Sequence, residues 1–253
     1  MKNLILSELS LPELKKYESQ IDLAVIPVGS HEQHGPNMVF ATDSVLAYEL
    51  SKKIGEIFFP RILICPSITL GNSYHHMDFF GSMTLRPETF IHLIIDMAES
   101  LKKHKIKKIL LLNGHGGNRH PLGVAVTKIK FELGFLKVGW IGPDLGEDLL
   151  EKKQFSSKFS SVRGHACEGE VSMALYLAPW LVKKDCLCPG ELKKSLWGKS
   201  SWYRQVPWSF HDITENGALG NATLASYELG KKITEHVLQK YQKFINEYFF
   251  DSK

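Results

Sequence analysis

Short apolar runs alternate with helix-patterned segments along most of this chain, and this alternation constrains the fold more than any other feature. Between the first two runs, Leu46, Leu50 and Ile54 recur with the spacing of one helical face. Strands that alternate with helices favour a parallel sheet covered on both faces. We therefore predict an α/β fold of three layers, α/β/α, around a mainly parallel sheet. The four runs that predict buried strands are residues 21–28, 61–65, 106–112 and 136–141.

The remaining helices and loops follow from similar patterns. Ser10 followed by Pro12 is typical of a helix start. The 253 residues lie near the upper size of one domain, and they contain no internal repeat and no linker. We therefore expect residues 1–253 to form a single domain. Helices are predicted at residues 44–58, 89–104, 121–133, 168–178 and 224–249, and irregular structure at 71–81, 143–163 and 183–222.

Composition and charge exclude several classes of protein. A hydrophobic content of 43% and a charged content of 23% are ordinary for a soluble globular protein. The net charge of +4 is mild, and the lysines occur as pairs without interleaved aromatic residues, which argues against a nucleic-acid partner. No apolar run is long enough to cross a bilayer, and the N-terminal run is too short for a secretion signal. We expect a cytoplasmic protein without a membrane partner. The four cysteines, including Cys186 and Cys188, do not suggest a disulfide scaffold or a zinc site.

A cluster of polar residues follows the first long apolar run. It contains Glu32, His34 and, nine residues after His34, Asp43. The Gly35-Pro36 pair argues against a helix through His34, because a helix seldom continues into the residue before a proline. In an extended backbone, Glu32 and His34 point to the same side, at the strand end where open α/β sheets place their ligands. The alternative is a polar surface loop followed by Asp43 as a helix N-cap.

Two further clusters have the same relation to predicted elements. His115 is framed by glycines in the loop after the third apolar run, where an imidazole suits a metal ligand or an acid–base group. A phosphate cradle is the alternative, but the loop lacks the lysine or the glycine spacing of the known phosphate-binding motifs. His165 precedes a predicted helix that contains Glu168 and Glu170. These glutamates could instead only complement the helix dipole, and this alternative suits Glu168 better than Glu170.

The clusters together supply three carboxylates and two imidazoles. Mixed oxygen and nitrogen ligands fit zinc, manganese or ferrous iron. Five ligands exceed the number that one tetrahedral zinc with an open position needs, but they match two divalent metal ions that share a carboxylate. The five candidate ligands are Glu32, His34, Asp43, His115 and Glu170.

These motifs resemble those of the creatininase (creatinine amidohydrolase) family. The resemblance rests on Val28-Gly-Ser-x-Glu-x-His-Gly-Pro36 with Thr42-Asp43, on Asn113-Gly-His-Gly-Gly-Asn118, and on His165-Ala-x-x-x-Glu-x-Ser172, with a weaker similarity at residues 76–85. It implies a three-layer α/β fold, two divalent metal ions and a hydrolase that cleaves a non-peptide or cyclic amide C–N bond. It also implies a homo-oligomer, with hexamers known in the family.

The resemblance implies a role for each site residue. Glu32 and His115 would hold one metal ion, His34 the other, and Asp43 would bridge them, with Glu170 completing the second site. Creatininases themselves carry glutamates at the positions of Gly117 and Gly164, which argues against creatinine as the substrate. Other branches with the same glycine-rich loop include a deformylase of flavin and deazaflavin precursors and a peptidase that trims a cofactor precursor.

The expected reaction is hydrolysis of a small-molecule amide by a metal-activated water. His165 is the predicted proton carrier, the amides of Gly116 and Gly117 are predicted to bind the developing oxyanion, and His76 is predicted to contact the substrate. A phosphate-binding module and a catalytically silent assembly subunit are the alternatives. The aromatic loop at residues 197–210 either covers the pocket or packs at a surface or a subunit interface.

Overall fold

A computed structural model describes residues 2–144, 164–191, 193 and 207–251. Within this part of the chain, the central element is a five-stranded, fully parallel sheet with the strand order β1-β3-β2-β4-β5. The two strands at its centre end in the motifs that the sequence singled out, since Val28 pairs with Asn113 in their register. The strands are β1 (Leu4–Ile5), β2 (Leu23–Val28), β3 (Ile62–Ile64), β4 (Lys108–Asn113) and β5 (Lys137–Ile141).

Helices cover both faces of this sheet. On one face, α2 and α6 pack over β2 and β4, and α5 packs against α6. On the other face, α3 and α4 pack side by side. The predicted three-layer α/β/α fold is therefore confirmed. The helices are α1 (Leu11–Lys15), α2 (Thr42–Ile57), α3 (Pro87–Lys103), α4 (Arg119–Phe131), α5 (Glu168–Leu177) and α6 (Tyr227–Phe244).

The central strands show why the sheet needs both helical layers. In β2, Leu23 and Val25 contribute to one core, and Ala24 and Ile26 contribute to the other. Successive side chains of a strand point to opposite faces, and a strand buried on both faces therefore reads as one continuous apolar run. All six residues of β2 are buried. This is the physical reason that the strands were visible in the sequence.

Most predicted boundaries agree with the structure to within about three residues. Ser10 and Glu13 form a capping box at the start of α1, as the sequence indicated. The strand β1 was not predicted, because two residues are too few to show a pattern. The last helix begins at Tyr227 and continues as a π-helix over Ile245–Phe250.

The segments predicted to be irregular contain short 3₁₀ helices where the structure describes them. These are Tyr74–His76, Lys184–Cys186, Phe210–Asp212 and Ala222–Leu224. The prediction for residues 143–163 concerns mainly 145–163, which lie outside the described residues. None of the described helices is long and apolar enough to span a membrane.

Candidate metal centre

The loop after β2 delivers the first two predicted ligands into the protein interior. Glu32 and His34 are each only 1% exposed. Asp43 is 2% exposed and lies in the first turn of α2, whose N-cap is Ala41. The alternative of Asp43 as a helix cap is therefore wrong. Three ionisable side chains buried within one loop-and-helix segment require partners, because burying an unpaired charge is costly.

The loop after β4 is held by its own two asparagines. The Asn113 amide donates to the His115 carbonyl at 2.7 Å and accepts from the His115 N–H at 3.1 Å. Asn118 donates to the Gly29 carbonyl at 3.0 Å and joins this loop to the end of β2. A Cβ at Gly114 would lie 2.3 Å from the carbonyl oxygen of Asp43, and the close approach of this loop to α2 therefore needs glycine. These contacts place His115 beside Asp43.

The N-terminal turn of α5 contributes the remaining carboxylate. Glu170 is buried, and one of its oxygens accepts a hydrogen bond from the Ala166 N–H at 2.7 Å. Its other oxygen lies 3.6 Å from Nε2 of His34. Glu168 accepts from the Asn221 N–H at 3.1 Å instead. The structure therefore separates the two glutamates in the way that the sequence favoured.

Asp43 lies between two imidazoles, which come from the loops after two different strands. Its Oδ1 is 3.2 Å from Nε2 of His34, and its Oδ2 is 3.1 Å from Nδ1 of His115. Glu32 Oε2 is 3.0 Å from the same His115 nitrogen. The five predicted ligands thus form two adjoining groups that share the Asp43 carboxylate. One group contains His34, Asp43 and Glu170; the other contains Glu32, Asp43 and His115.

Each of these imidazoles has one nitrogen committed to a backbone carbonyl. His34 Nδ1 donates to the Glu32 carbonyl at 3.1 Å, and His115 Nε2 donates to the Asn72 carbonyl at 3.1 Å. The other nitrogen of each ring faces the carboxylates. A second hydrogen bond of this kind fixes the tautomer of a metal-binding histidine and orients its free nitrogen.

The cluster is strongly charged despite its burial. Burial opposes ionisation of Glu32, but His115 and His76 together outweigh it and lower the Glu32 pKa to about 2. Burial likewise opposes ionisation of Asp43, and His34 lowers the Asp43 pKa to about 2. Burial also disfavours the charged His115, yet Glu32 and Asp43 raise the pKa of this imidazole to about 10. Carboxylates that stay ionised in an interior site are suited to a cation.

One buried oxygen supports the fit of this donor set to a metal ion. Asp43 Oδ2 is shielded from solvent and accepts no hydrogen bond from any residue that the structure describes, although it faces Nδ1 of His115 as an ion pair at 3.1 Å. A buried carboxylate oxygen needs a cation to compensate it, and a metal ion can replace the proton of His115 in this role. His34, Asp43 and Glu170 offer ligand atoms that all lie within 4.8 Å of one another. Oxygen and nitrogen donors without thiolate fit zinc, manganese or iron.

A cavity of about 680 Å³ opens onto this cluster. Gly116 and Gly117 line it, as do His76 and His165. His76 is 1% exposed, and its Nε2 lies 3.3 Å from Oε1 of Glu32. His76 therefore contacts a candidate ligand as well as the cavity.

His165 has a free nitrogen on the side of the cluster. Its Nε2 donates to the Gln33 carbonyl at 2.6 Å, and its Nδ1 lies 3.7 Å from Oε1 of Glu32. Burial lowers the His165 pKa, and the nearby positive His34 adds to this effect. Its imidazole is therefore neutral near pH 7.

The aromatic loop reaches the cavity in its described part. Trp208 and Phe210 line the cavity, and the Phe210 ring stacks on His76 with 4.0 Å between centroids. Trp197 and Trp202, which the sequence placed in the same loop, lie outside the described residues.

Three site residues were not assigned a role from the sequence. Ser73 donates to Glu32 Oε2 at 2.7 Å. The side-chain amide of Gln33 donates to Nδ1 of His76 at 2.9 Å and to the Gly217 carbonyl at 3.0 Å. His75 lines the cavity beside His115. The only signals in the sequence were the adjacent histidines and the position of Gln33 between two ligands.

The parallel sheet and the buried carboxylate–imidazole cluster at its carboxyl edge define an α/β protein with a candidate metal centre. The family model for creatininase, described as creatinine amidohydrolase, matches residues 7–245. The chain therefore belongs to the creatininase family, a family of hydrolases.

Named relatives span most of the chain. It is 26% identical to the 3-dehydro-scyllo-inosose hydrolase of Thermotoga maritima, over 94% of this chain and 81% of that protein. It is 25% identical to the mycofactocin precursor peptide peptidase of Mycolicibacterium smegmatis, over 87% and 82%.

Solved structures share the fold. A Bacteroides fragilis protein described as a creatinine amidohydrolase superposes with a TM-score of 0.84 at 22% identity, covering 100% of this chain and 98% of that one. A manganese form of creatininase gives a TM-score of 0.77 at 22% identity, covering 99% and 100%.

Proposed function

We propose that this protein is an amidohydrolase that works with two divalent metal ions. The observation that carries the proposal is the position of Asp43, whose two oxygens face His34 and His115 at 3.2 and 3.1 Å. In this proposal, Glu32 and His115 would hold one ion, His34 and Glu170 would hold the other, and both would share Asp43. Structures of creatininase in a manganese form and in a zinc–zinc form support the choice of metals. Zinc is the first candidate, with manganese or iron as alternatives.

The ions, when bound, supply a water of lowered pKa and polarise the substrate carbonyl. The residues of this chain then handle the proton. His165 is neutral, and its Nδ1 faces the cluster while its Nε2 is held by the Gln33 carbonyl. We assign to Nδ1 the transfer of a proton from the attacking water to the leaving nitrogen. Because Nε2 already donates to the Gln33 carbonyl, Nδ1 accepts the proton that the water loses and passes it to the leaving nitrogen without rotation of the ring.

The substrate occupies the cavity beside this cluster in our proposal. The N–H groups of Gly116 and Gly117 at its wall bind the oxyanion that develops on the carbonyl. His76 presents its ring to the same space and orients Glu32 at the same time. A cavity of about 680 Å³ takes a ligand of ordinary metabolite or short-peptide size.

The substrate is proposed to be a small amide other than creatinine. Gly117 and Gly164 line the cavity without side chains, where creatininases themselves carry glutamates. A second candidate is a peptidase that trims a cofactor-precursor peptide, supported by the name of the Mycolicibacterium smegmatis relative. A formamide deformylase is the third. The protein is further proposed to act in the cytoplasm, as a single domain of residues 1–253 and as a homo-oligomer of as many as six subunits.

A substrate panel on metal-reconstituted protein tests the proposal. The purified protein is stripped of metal, reloaded with Zn²⁺, Mn²⁺ or Fe²⁺, and assayed with creatinine, formylamino-pyrimidines and short peptides. We expect two ions per chain and hydrolysis of at least one non-creatinine amide, lost on chelation. A protein that binds phosphate compounds, holds no divalent ion and hydrolyses no amide would instead be a binding module.

A further inference from the structure

We propose that His75 is an additional ligand for the ion that Glu32 and His115 hold. This inference rests on the proposed function, because it adds a residue to the same metal centre. One ligand atom each from Glu32, His75 and His115 lies within 4.8 Å of the others. Glu32 and His115 belong to the family motifs, whereas His75 does not.

The ring of His75 is held in place by other rings rather than by hydrogen bonds. It stacks on His115 with 5.5 Å between centroids and an interplanar angle of 12°. It also contacts His76 at 4.4 Å, Phe210 at 5.7 Å and the edge of Trp208 at 5.8 Å. Because the neighbouring rings pack against the faces of the imidazole, its two nitrogens stay at the ring edge, where a metal ion can reach them.

The space for His75 exists because residue 117 is a glycine. A Cβ at Gly117 would lie 2.6 Å from Cε1 of His75 and 2.4 Å from Nε2 of His115. It would also lie 2.3 Å from the Asn72 carbonyl oxygen, which cannot move freely. A side chain at position 117 would therefore displace the His75 imidazole together with the Asn72 carbonyl and the His115 ring. This chain has glycine at position 117 and histidine at position 75. The His75 imidazole therefore offers a nitrogen ligand in the space that a side chain at position 117 would otherwise fill.

The nitrogens of His75 are available as donors to a cation. Within the described part of the chain, neither ring nitrogen makes a hydrogen bond, although every other imidazole of the cluster does.

A fourth protein ligand makes the two ion sites unequal. The ion at Glu32 would have Glu32, Asp43, His115 and His75, whereas its neighbour would have three protein groups. A closed ligand set is typical of tightly held ions, and an open position is typical of the ion that takes water or substrate. We therefore assign the tighter binding to the ion on the Glu32 side.

The test compares metal binding by His75→Ala, His75→Gln and the control His120→Ala, a second histidine that lines the same cavity. We expect two unequal Zn²⁺ affinities in the wild-type protein by competition with a chromophoric chelator. Both His75 variants should weaken the tighter site by ~100-fold or more, because even outer-shell partners of ligands cost 10–100-fold. The control should leave both affinities unchanged.

A second measurement needs no variant. In the Co²⁺-loaded wild-type protein, paramagnetically shifted ring N–H signals should come from three imidazoles instead of two. Wild-type affinities in the His75 variants together with two shifted imidazoles would overturn the inference, and any loss of activity would then mark His75 as a substrate contact. In that case the two-metal hydrolase would stand. A wild-type protein that binds no divalent ion would refute both proposals.

Discussion

Asp43 is the residue on which both halves of the centre depend. Asparagine at this position keeps the shape but removes the charge and one oxygen donor. We expect Asp43→Asn to weaken both ions and to lower kcat/KM by more than ~100-fold, since a shared ligand matters more than an outer-shell partner. Metal analysis and amide turnover measure this. Asp96→Asn, at an exposed position of α3, is the matched control. Retained activity with full metal content in Asp43→Asn would contradict a bridging role.

Gln33 contacts the centre indirectly, through His76, which in turn contacts the candidate ligand Glu32. Its Oε1 accepts from the Gly35 N–H at 2.7 Å, and this fixes its amide nitrogen as the donor to Nδ1 of His76 at 2.9 Å. The proton of His76 is therefore on Nε2, which faces Oε1 of Glu32. Glutamate at position 33 has the same shape but cannot donate.

We expect Gln33→Glu to weaken metal binding by ~10–100-fold, the usual effect of losing an outer-shell partner. Isothermal titration of the apoprotein with Zn²⁺ measures it. Gln239→Glu on the exposed side of α6 should leave the affinity unchanged and controls for the added charge. Equal affinities in the two variants would show that the His76 tautomer does not matter.

The sequence predicted that the candidate ligands lie close together, but it did not predict the side chains that support them. Glu32, His34 and His115 each follow a buried strand, and parallel strands bring their carboxyl ends to one edge. No such rule places Ser73, Gln33 or His75, because their roles depend on side chains from loops far apart in the chain. Gln33, for example, contacts the Gly217 carbonyl 184 residues away.

At the scale of elements, the position of α5 determines whether Glu170 reaches the centre. This helix packs against α6, where Gly230 touches it: a Cβ at Gly230 would lie 1.8 Å from the Ser172 carbonyl oxygen. We expect Gly230→Ala to force the two helices apart and to destabilise the protein by about 1–3 kcal/mol, the usual cost of overpacking. It should also weaken the ion that Glu170 holds.

Gly123→Ala is expected to stabilise the protein, in contrast to Gly230→Ala. Gly123 lies inside α4, and a Cβ there would meet no atom within 4 Å. Alanine should therefore raise stability by about 0.4–1 kcal/mol, because it restricts the unfolded chain. Thermal unfolding of both variants checks the pair. If Gly230→Ala were as stable as Gly123→Ala, the close contact between α5 and α6 would not be needed.

The strands and helices were predicted because their burial patterns are local. The run Ile109 to Leu112 is buried on both faces and is apolar throughout. The two residues of β1 pair with β3 across nearly sixty positions of the chain, and nothing in their own sequence indicates this. The start of α6 at Tyr227 depends on Ser226, whose side chain accepts from the Leu229 N–H.

At the scale of the whole molecule, protons and metal ions compete for the same centre. Carboxylates raise the His115 pKa to about 10 and raise that of His34 well above its ordinary value. In the apoprotein at pH 7 both imidazoles are therefore protonated, and an ion must displace these protons. We expect metal binding to release protons and the apparent affinity to increase as the pH rises from 6 to 9.

Calorimetric titrations in buffers of different ionisation enthalpy count the protons released. A count of about two at pH 7 would agree with the raised pKa values of both imidazoles, and a count of zero would contradict them. The stability of the apoprotein changes in the opposite direction to the metal affinity: the contribution of His115 is present below pH 6.5 and is lost as the pH rises through about 10.

The apolar residues of β2 end at Val28, and every candidate ligand of that segment comes after it. The groups that hold the sheet together and the groups that select a substrate are thus separate stretches of chain. Changes in the loops can then accumulate without disturbing the cores beneath them. Enzymes built on this plan can diverge in the compounds they cleave while their melting temperature changes little.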